Sequence, residues 1–184
     1  MGLFKKTIDF DSVSTKGGDT GKSSSFSGEF LYKDSTFFQV IGTIDEVQSY
    51  IGIVKNLVGN EKTLTQIQKD LYNAMAVIAT DCDSENYKYI KALTEDNVYF
   101  IEKKQKKLLD DLQLEYKFVI PGDDGISSAY YDYLRTLVRR AERELVGYIK
   151  EKHKPFKVDY EDLKIIQKYL NRLSDFFFVW ARAV

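Results

Sequence analysis

Proline is almost absent from this chain: among 184 residues only Pro121 and Pro155 occur. A proline inside a helix removes a backbone hydrogen bond and clashes with the preceding turn, so this scarcity leaves room for long unbroken helices. Apolar residues then recur at three- and four-residue spacing, the period of a helix with one buried face. From Gly42 onward, Ile44, Val47, Ile51 and Val54 form one stripe, with Glu46 and Lys55 elsewhere on the wheel. A second stripe, over about 63–80, holds Leu64, Ile67, Leu71, Met75 and Ile78. Thr94 is placed to cap a third helix carrying Val98, Ile101, Gln105 and Leu108. Residues 118–125, FVIPGDDG, interrupt the pattern, because Pro121 biases Ile120 away from helix and Gly122 permits a turn. A fourth helix over about 127–152 presents Leu134, Val138, Ala141, Leu145 and Ile149, and Pro155 follows its end. A fifth, over about 160–183, presents Leu163, Ile166, Leu170, Leu173, Phe177 and Trp180. Five such helices with short connections predict an all-α, up-down five-helix bundle.

Composition narrows the function. The chain is 43% hydrophobic and 30% charged, which predicts one globular domain over 1–184. Twenty-seven basic and 28 acidic residues nearly cancel, so no global cationic field is available for nucleic acid or an anionic membrane. A single cysteine, Cys82, and a single histidine, His153, exclude an intramolecular disulfide and any site built from several imidazoles. No apolar run approaches the roughly 20 residues of a membrane span, and MGLFKKTIDF has no apolar signal core. The expected setting is a reduced cytoplasm.

Residues 1–40 differ from the rest. STKGGDTGKSSSFSGE is dense in turn-forming residues, and Gly17, Gly18 and Gly21 can offer successive backbone N–H groups to an anion. The spacing is not that of a Walker A loop, since GDTGKSSS lacks the required glycine pattern before Lys22. The bundle is expected to occupy 42–183. Within it, RTLVRRAER sets Arg135, Arg139 and Arg143 four residues apart on one helix face, flanked by Arg140 and Glu142. Like charges so placed repel unless an anion lies opposite: either carboxylates of the fold or a polyphosphate, both suited to the guanidinium fork. Asn171 and Asp175, one turn apart in YLNRLSDFFF, are either helix–helix hydrogen-bonding residues or part of a site facing the arginines. The KKQKK run at 103–107 reads as a solvated helix face, because Asp110, Asp111 and Glu115 follow it. The apolar segment at Phe118 either plugs the end of the bundle or serves a ligand.

Taken in order, TKGGDTG, GTIDEVQSYIG at 42–52, FVIPG at 118–122, RTLVRRAER at 135–143 and YLNRLSDFFFVWAR at 169–182 resemble the PduO-type ATP:cob(I)alamin adenosyltransferases. The resemblance spans nearly the whole chain. It implies a cobalamin adenosyltransferase-like (ferritin-like) bundle assembled as a homotrimer, with ATP, cobalamin and Mg²⁺ bound at sites between subunits. Thr15, Lys16, Gly18, Asp19, Gly21 and Ser23 would then contact the nucleotide, and Lys33 a phosphate. Arg139, Arg143, Glu142 and Asn171 would hold the triphosphate, Mg²⁺ and ribose region, with Glu142 the metal ligand. Asp45 and Arg135 would pair to build the interface, and Phe118 would pack beneath the corrin and remove its lower axial ligand. Between Phe118 and Arg135 the chain is one residue longer than the family pattern, and only two residues follow Arg182, so a short tail over the corrin is expected.

The implied reaction suits the residues present. Reduced cobalt(I) is itself a strong nucleophile, so no histidine base or cysteine nucleophile is needed. The protein must stabilise charge on departing triphosphate and exclude water, work for which arginine, lysine and backbone donors are equipped. The same resemblance implies a cobalamin reductase and an adenosylcobalamin-dependent enzyme as partners. A non-catalytic ATP- and corrinoid-binding protein for delivery or sensing is the alternative reading, and a helical scaffold with interfacial ion pairs a third.

Overall fold

The computed structural model describes residues 8–58, 62–112, 114 and 118–184. Its elements are α1 (Phe10–Val13), the hairpin strands β1 (Lys22–Ser24) and β2 (Phe30–Tyr32), α2 (Thr36–Val58), α3 (Lys62–Ile78), a 3₁₀ turn (Tyr87–Tyr89), α4 (Glu95–Leu112), α5 (Ile126–Lys150) and α6 (Tyr160–Ala181). The five long helices are those the periodicity predicts.

Side-chain pairs fix their directions. Thr36 meets Glu151 and Glu46 meets Arg140, so α2 and α5 run antiparallel. Glu142 meets Asn171 while Asp132 meets Arg182, which makes α5 and α6 antiparallel as well. Glu95 pairs with Lys168 and Glu102 with Arg172, so α4 and α6 run parallel. α2, α4 and α6 therefore share one direction and α5 takes the opposite one, and the predicted stripes face the common core. Ile44, Val47, Ile51, Leu134, Val138, Ala141, Leu145, Leu163, Ile166, Leu170 and Leu173 are all fully buried.

Two expectations need correction at the N-terminal side. The first long helix starts at Thr36 rather than Gly42, because Phe37 and Val40 extend its buried stripe by another turn and a half. Ser35 supports the start: its hydroxyl accepts the Phe38 N–H at 3.4 Å and its carbonyl the Gln39 N–H at 3.0 Å. The preceding segment is not irregular loop alone. Lys22 pairs with Tyr32, Ser23 with Leu31 and Ser24 with Phe30 in an antiparallel hairpin. Its turn is tied to the bundle by Ser27, whose hydroxyl accepts the Asp81 N–H at 3.1 Å and donates to the Ala79 carbonyl at 3.4 Å. At α4, Thr94 occupies the predicted starting position. Asn97 contributes the side-chain bond there, its Oδ1 accepting the Thr94 N–H at 3.0 Å.

A buried carboxylate ties three helices together. Asp70 on α3 is 2% exposed and accepts from Gln66 (2.9 Å), Asn97 (3.0 Å) and the Tyr169 hydroxyl (3.0 Å), joining α3, α4 and α6. Burial pushes its pKa above the usual carboxylate value, with the three hydrogen bonds working the other way. The native state thus holds the Asp70 proton more tightly than the unfolded chain. Its contribution to stability is greatest in acid and is lost as pH rises through the native pKa. Asp70→Asn should therefore gain stability relative to the parent as pH rises from 3 toward neutrality, read from urea midpoints across that range. At neutral pH Tyr169→Phe should cost about 1.5–3 kcal/mol, because it removes a donor from a charged group.

Candidate functional site

The glycine-rich segment and Lys33 converge. Hairpin register carries Lys33 back beside the turn that precedes β1, where its N–H donates to the Gly21 carbonyl at 2.9 Å. Its ammonium lies over Gly18, so close that a Cβ built there would sit 2.5 Å from Nζ. A side chain at Gly18 would displace that ammonium before it disturbed the backbone. The turn itself is closed by Asp19 N–H to the Lys16 carbonyl and Gly21 N–H to the Gly18 carbonyl, both at 3.2 Å. Lys16 takes a left-handed conformation, φ 56°, which a residue bearing a Cβ adopts at a cost of about 1 kcal/mol or more. Thr15, Lys16, Asp19 and Gly21 are exposed, and Gly18 and Ser23 half-buried. The result is a cationic, N–H-rich turn open to solvent.

The second group sits on α5 and α6. Arg140 pairs with Glu46 of α2, and Arg135 is half-buried with its Nε 3.9 Å from Asp132 one turn earlier. Arg139 and Arg143 are exposed, and neither meets a carboxylate among the described residues; Arg143 donates to the Arg139 carbonyl at 3.3 Å. The faces of α5 toward α2 and α6 are thus marked by Arg140 and Glu142, while Arg139 and Arg143 point outward from the bundle. Of the two readings of the arginine ladder, a partner within the fold accounts for Arg140, while Arg135 has only Asp132 at 3.9 Å and no hydrogen-bond acceptor for its Nε among the described residues.

Asn171 belongs to a polar relay. Its Nδ2 donates to Glu142 at 3.1 Å, and its Oδ1 accepts from Arg172 at 2.6 Å. Arg172 in turn reaches Glu102 at 2.8 Å. Glu142 and Asn171 therefore come together as expected, beside the Arg139 and Arg143 turns. Asp175 is exposed and stands apart from this relay.

Asp45 does not meet Arg135 within the chain. It is exposed on the side of α2 that faces α3, at the edge of a cleft of about 810 Å³ bordered by Phe26, Ile41, Tyr72, Met75 and Tyr89. Arg135 keeps a buried Nε without a hydrogen-bond acceptor among the described residues. Sequence periodicity did not reveal this cleft, because its walls come from the hairpin turn, two helices and the 80–91 connection.

Phe118 is 92% exposed and Ile120 56%, so this apolar segment does not plug its own bundle. It is fastened at the following turn instead. Gly122 and Gly125 adopt φ of 86° and 111°, values that side chains disfavour, and the Gly122 N–H donates to Asp132 at 3.1 Å. The helix after it runs without a π-turn from Ile126 to Lys150, so the connection takes up the extra residue before Arg135. Among the described residues no three metal-ligating side chains cluster, and no helix is long and apolar enough to cross a membrane.

Known proteins resemble this chain in sequence and fold. A family model described as cobalamin adenosyltransferase matches residues 13–184. The human corrinoid adenosyltransferase MMAB is 34% identical over 96% of this chain and 70% of its own length. The corrinoid adenosyltransferase of Bacillus subtilis is 32% identical, covering 92% of this chain and 84% of that protein. A solved variant of the PduO-type ATP:corrinoid adenosyltransferase from Lactobacillus reuteri, complexed with cobalamin and ATP, superposes with a TM-score of 0.80. It is 28% identical and covers 92% of this chain and 89% of that one. With the family model matching residues 13–184 of the 184 and a relative 34% identical over most of both chains, this chain belongs to the cobalamin adenosyltransferase family.

Proposed function

We propose that this protein transfers the 5′-deoxyadenosyl group of ATP to the cobalt of cob(I)alamin, giving adenosylcobalamin and triphosphate. The cobalt(I) electron pair forms the Co–C5′ bond as the C5′–O bond breaks, and the triphosphate leaves with that bonding pair. The observation that carries this reading is the outward pair Arg139 and Arg143, cationic and without carboxylate partners among the described residues. Together with Lys33 and the N–H groups around Gly18 and Gly21, they would bind and orient the phosphates and stabilise charge building on the leaving group. Thr15, Lys16, Asp19 and Ser23 would contact the remainder of the nucleotide, and Asn171 the ribose region.

Glu142 fits a Mg²⁺ ligand. One of its oxygens accepts from Asn171, and Mg²⁺ commonly takes one or two carboxylates together with phosphate oxygens and water. Bound there it would neutralise phosphate charge.

The glycine turn packs on Lys33 at the end of the hairpin, whereas Arg139 is exposed on α5, and a complete site would form between copies in a homotrimer. Asp45, exposed, and Arg135, with an unanswered Nε, would then meet across the interface. Light scattering should give a trimer. In a double-mutant cycle Asp45→Asn and Arg135→Ala should couple by about 0.5–3 kcal/mol in trimer stability, and additive losses would separate the two residues.

An exposed Phe118 would reach corrin bound at the same junction and keep water or base from cobalt's lower face. Cobalt(II) lacking that ligand is easier to reduce. Phe118→Ala should leave ATP affinity within about twofold, since the ring lies outside the phosphate turn. Adenosylation started from cob(II)alamin should fall about tenfold or more, and that started from prepared cob(I)alamin less. The deciding assay is anaerobic incubation with ATP and cob(I)alamin, followed by detection of adenosylcobalamin and triphosphate. ATP binding without product would favour the delivery or sensing role. A cytoplasmic setting, with a reductase supplying cobalt(I) and an adenosylcobalamin-dependent enzyme taking the product, completes the proposal.

A further inference from the structure

Among the groups that the reaction leaves unused, one stands beside the Phe118 segment. Arg182, just past the end of α6, is 6% exposed in its side chain, and Asp132, one turn and a half into α5, is 4% exposed. The guanidinium pairs with Asp132, donates to the Ser128 hydroxyl at 3.0 Å and approaches Asp124 at 3.0 Å from Nε. The oxygen of Asp132 that meets Arg182 also accepts the Gly122 N–H at 3.1 Å. A loop carboxylate and a helix carboxylate thus meet one buried arginine, and the turn residue Gly122 is tied to it through Asp132.

Removing both charges from water is costly, and such pairs contribute little net stability compared with apolar packing. Their better-attested effect is to select one arrangement of the chain. Here that arrangement is a turn of two positive-φ glycines, which would otherwise be among the freest segments of the backbone. Immediately before it, Phe118 and Ile120 are held in solvent with no core to fix them.

We infer that Asp132 and Arg182 are positioning residues, clamping the 121–125 turn so that Phe118 is presented to the lower face of the corrin in a single orientation. Asp124 assists from the loop side. The inference rests on the reading of Phe118 given above and adds the residues that aim it.

The test uses the full-length protein bearing Arg182→Lys, which keeps the buried positive charge but loses the fork that answers Asp132, Ser128 and Asp124 together. Hydrogen exchange at the Gly122 amide should accelerate about tenfold without any corrinoid present, because its acceptor is no longer held. Adenosylation from cob(II)alamin should fall about tenfold, while the KM for ATP and the rate from prepared cob(I)alamin stay within about threefold. Electron paramagnetic resonance of the ATP-bound protein with cob(II)alamin should show less of the form lacking a lower ligand. Asp124→Asn, at a half-exposed position, guards against a folding defect and should shift the same readouts in the same direction by a smaller factor. Unchanged Gly122 exchange in either variant would overturn the clamp. So would a rise in the KM for ATP accompanied by equal losses from both cobalt states, since that pattern reports general damage. Phe118→Ala measured in parallel separates the layers. If it leaves the cob(II)-to-cob(I) rate ratio unaltered, the reading of Phe118 fails; if it shifts the ratio and Arg182→Lys does not, only the positioning inference fails.

Discussion

Replacing Arg139 with alanine is expected to lower kcat/KM for ATP by about 10- to 100-fold while the bundle stays folded. The magnitude follows from losing one charge-assisted contact to phosphate, about 1.5–3 kcal/mol. The folding side of the expectation follows from position. Arg139 is exposed and forms no ion pair among the described residues, so its removal leaves neither a cavity nor an orphaned carboxylate. Arg139→Lys should recover only part of the loss, because a point charge cannot reproduce a two-pronged fork. Steady-state kinetics with ATP varied, together with thermal melting of both variants, check the pair of statements. Near-parental kinetics for Arg139→Ala would dismiss its assignment to the triphosphate.

Asp132→Ala should have the largest effect on stability. It strips the partner from an arginine whose side chain is 6% exposed, and breaking one half of such a pair typically costs about 3–5 kcal/mol. Asp124, 51% exposed, lies near enough to answer part of the charge, which places the expectation toward the lower end. The same substitution also orphans the Gly122 N–H. Denaturant unfolding with the m-value held constant measures the loss. A change below about 1 kcal/mol would mean that water or Asp124 compensates Arg182 fully.

The five long helices were legible because each carries an apolar stripe of helical period and few breakers. Val47, Ile51, Leu134 and Leu170 needed no information from elsewhere in the chain. The start of α2 was less legible: Ser, Thr and paired phenylalanines at 35–38 carry loop and strand signals as readily as helical ones, and only packing of Phe37 in the core decides. The three-residue strands of the hairpin are too short for a periodic signal, and they exist through pairing with each other. Of the site, the arginine spacing was visible, yet which arginine pairs inside the fold was not. Arg140 rather than Arg139 meets Glu46 because of a helix rotation that depends on the α2–α5 contact. The Asp132–Arg182 clamp joins residues 50 apart and left no local signature at all.

The hydrogen bonds that close the glycine turn also bear on the entropy of nucleotide binding. A loop of this composition would ordinarily be a floppy chain that loses conformational freedom when a ligand arrives. Here the Lys16, Gly18 and Gly21 carbonyls already accept backbone hydrogen bonds, and Ser27 moors the hairpin to the end of α3. Much of the ordering entropy has therefore been spent during folding, before any nucleotide is met. Calorimetry should record that as a small entropic penalty on binding, and weakening the mooring at Ser27 should raise that penalty while leaving every phosphate contact in place.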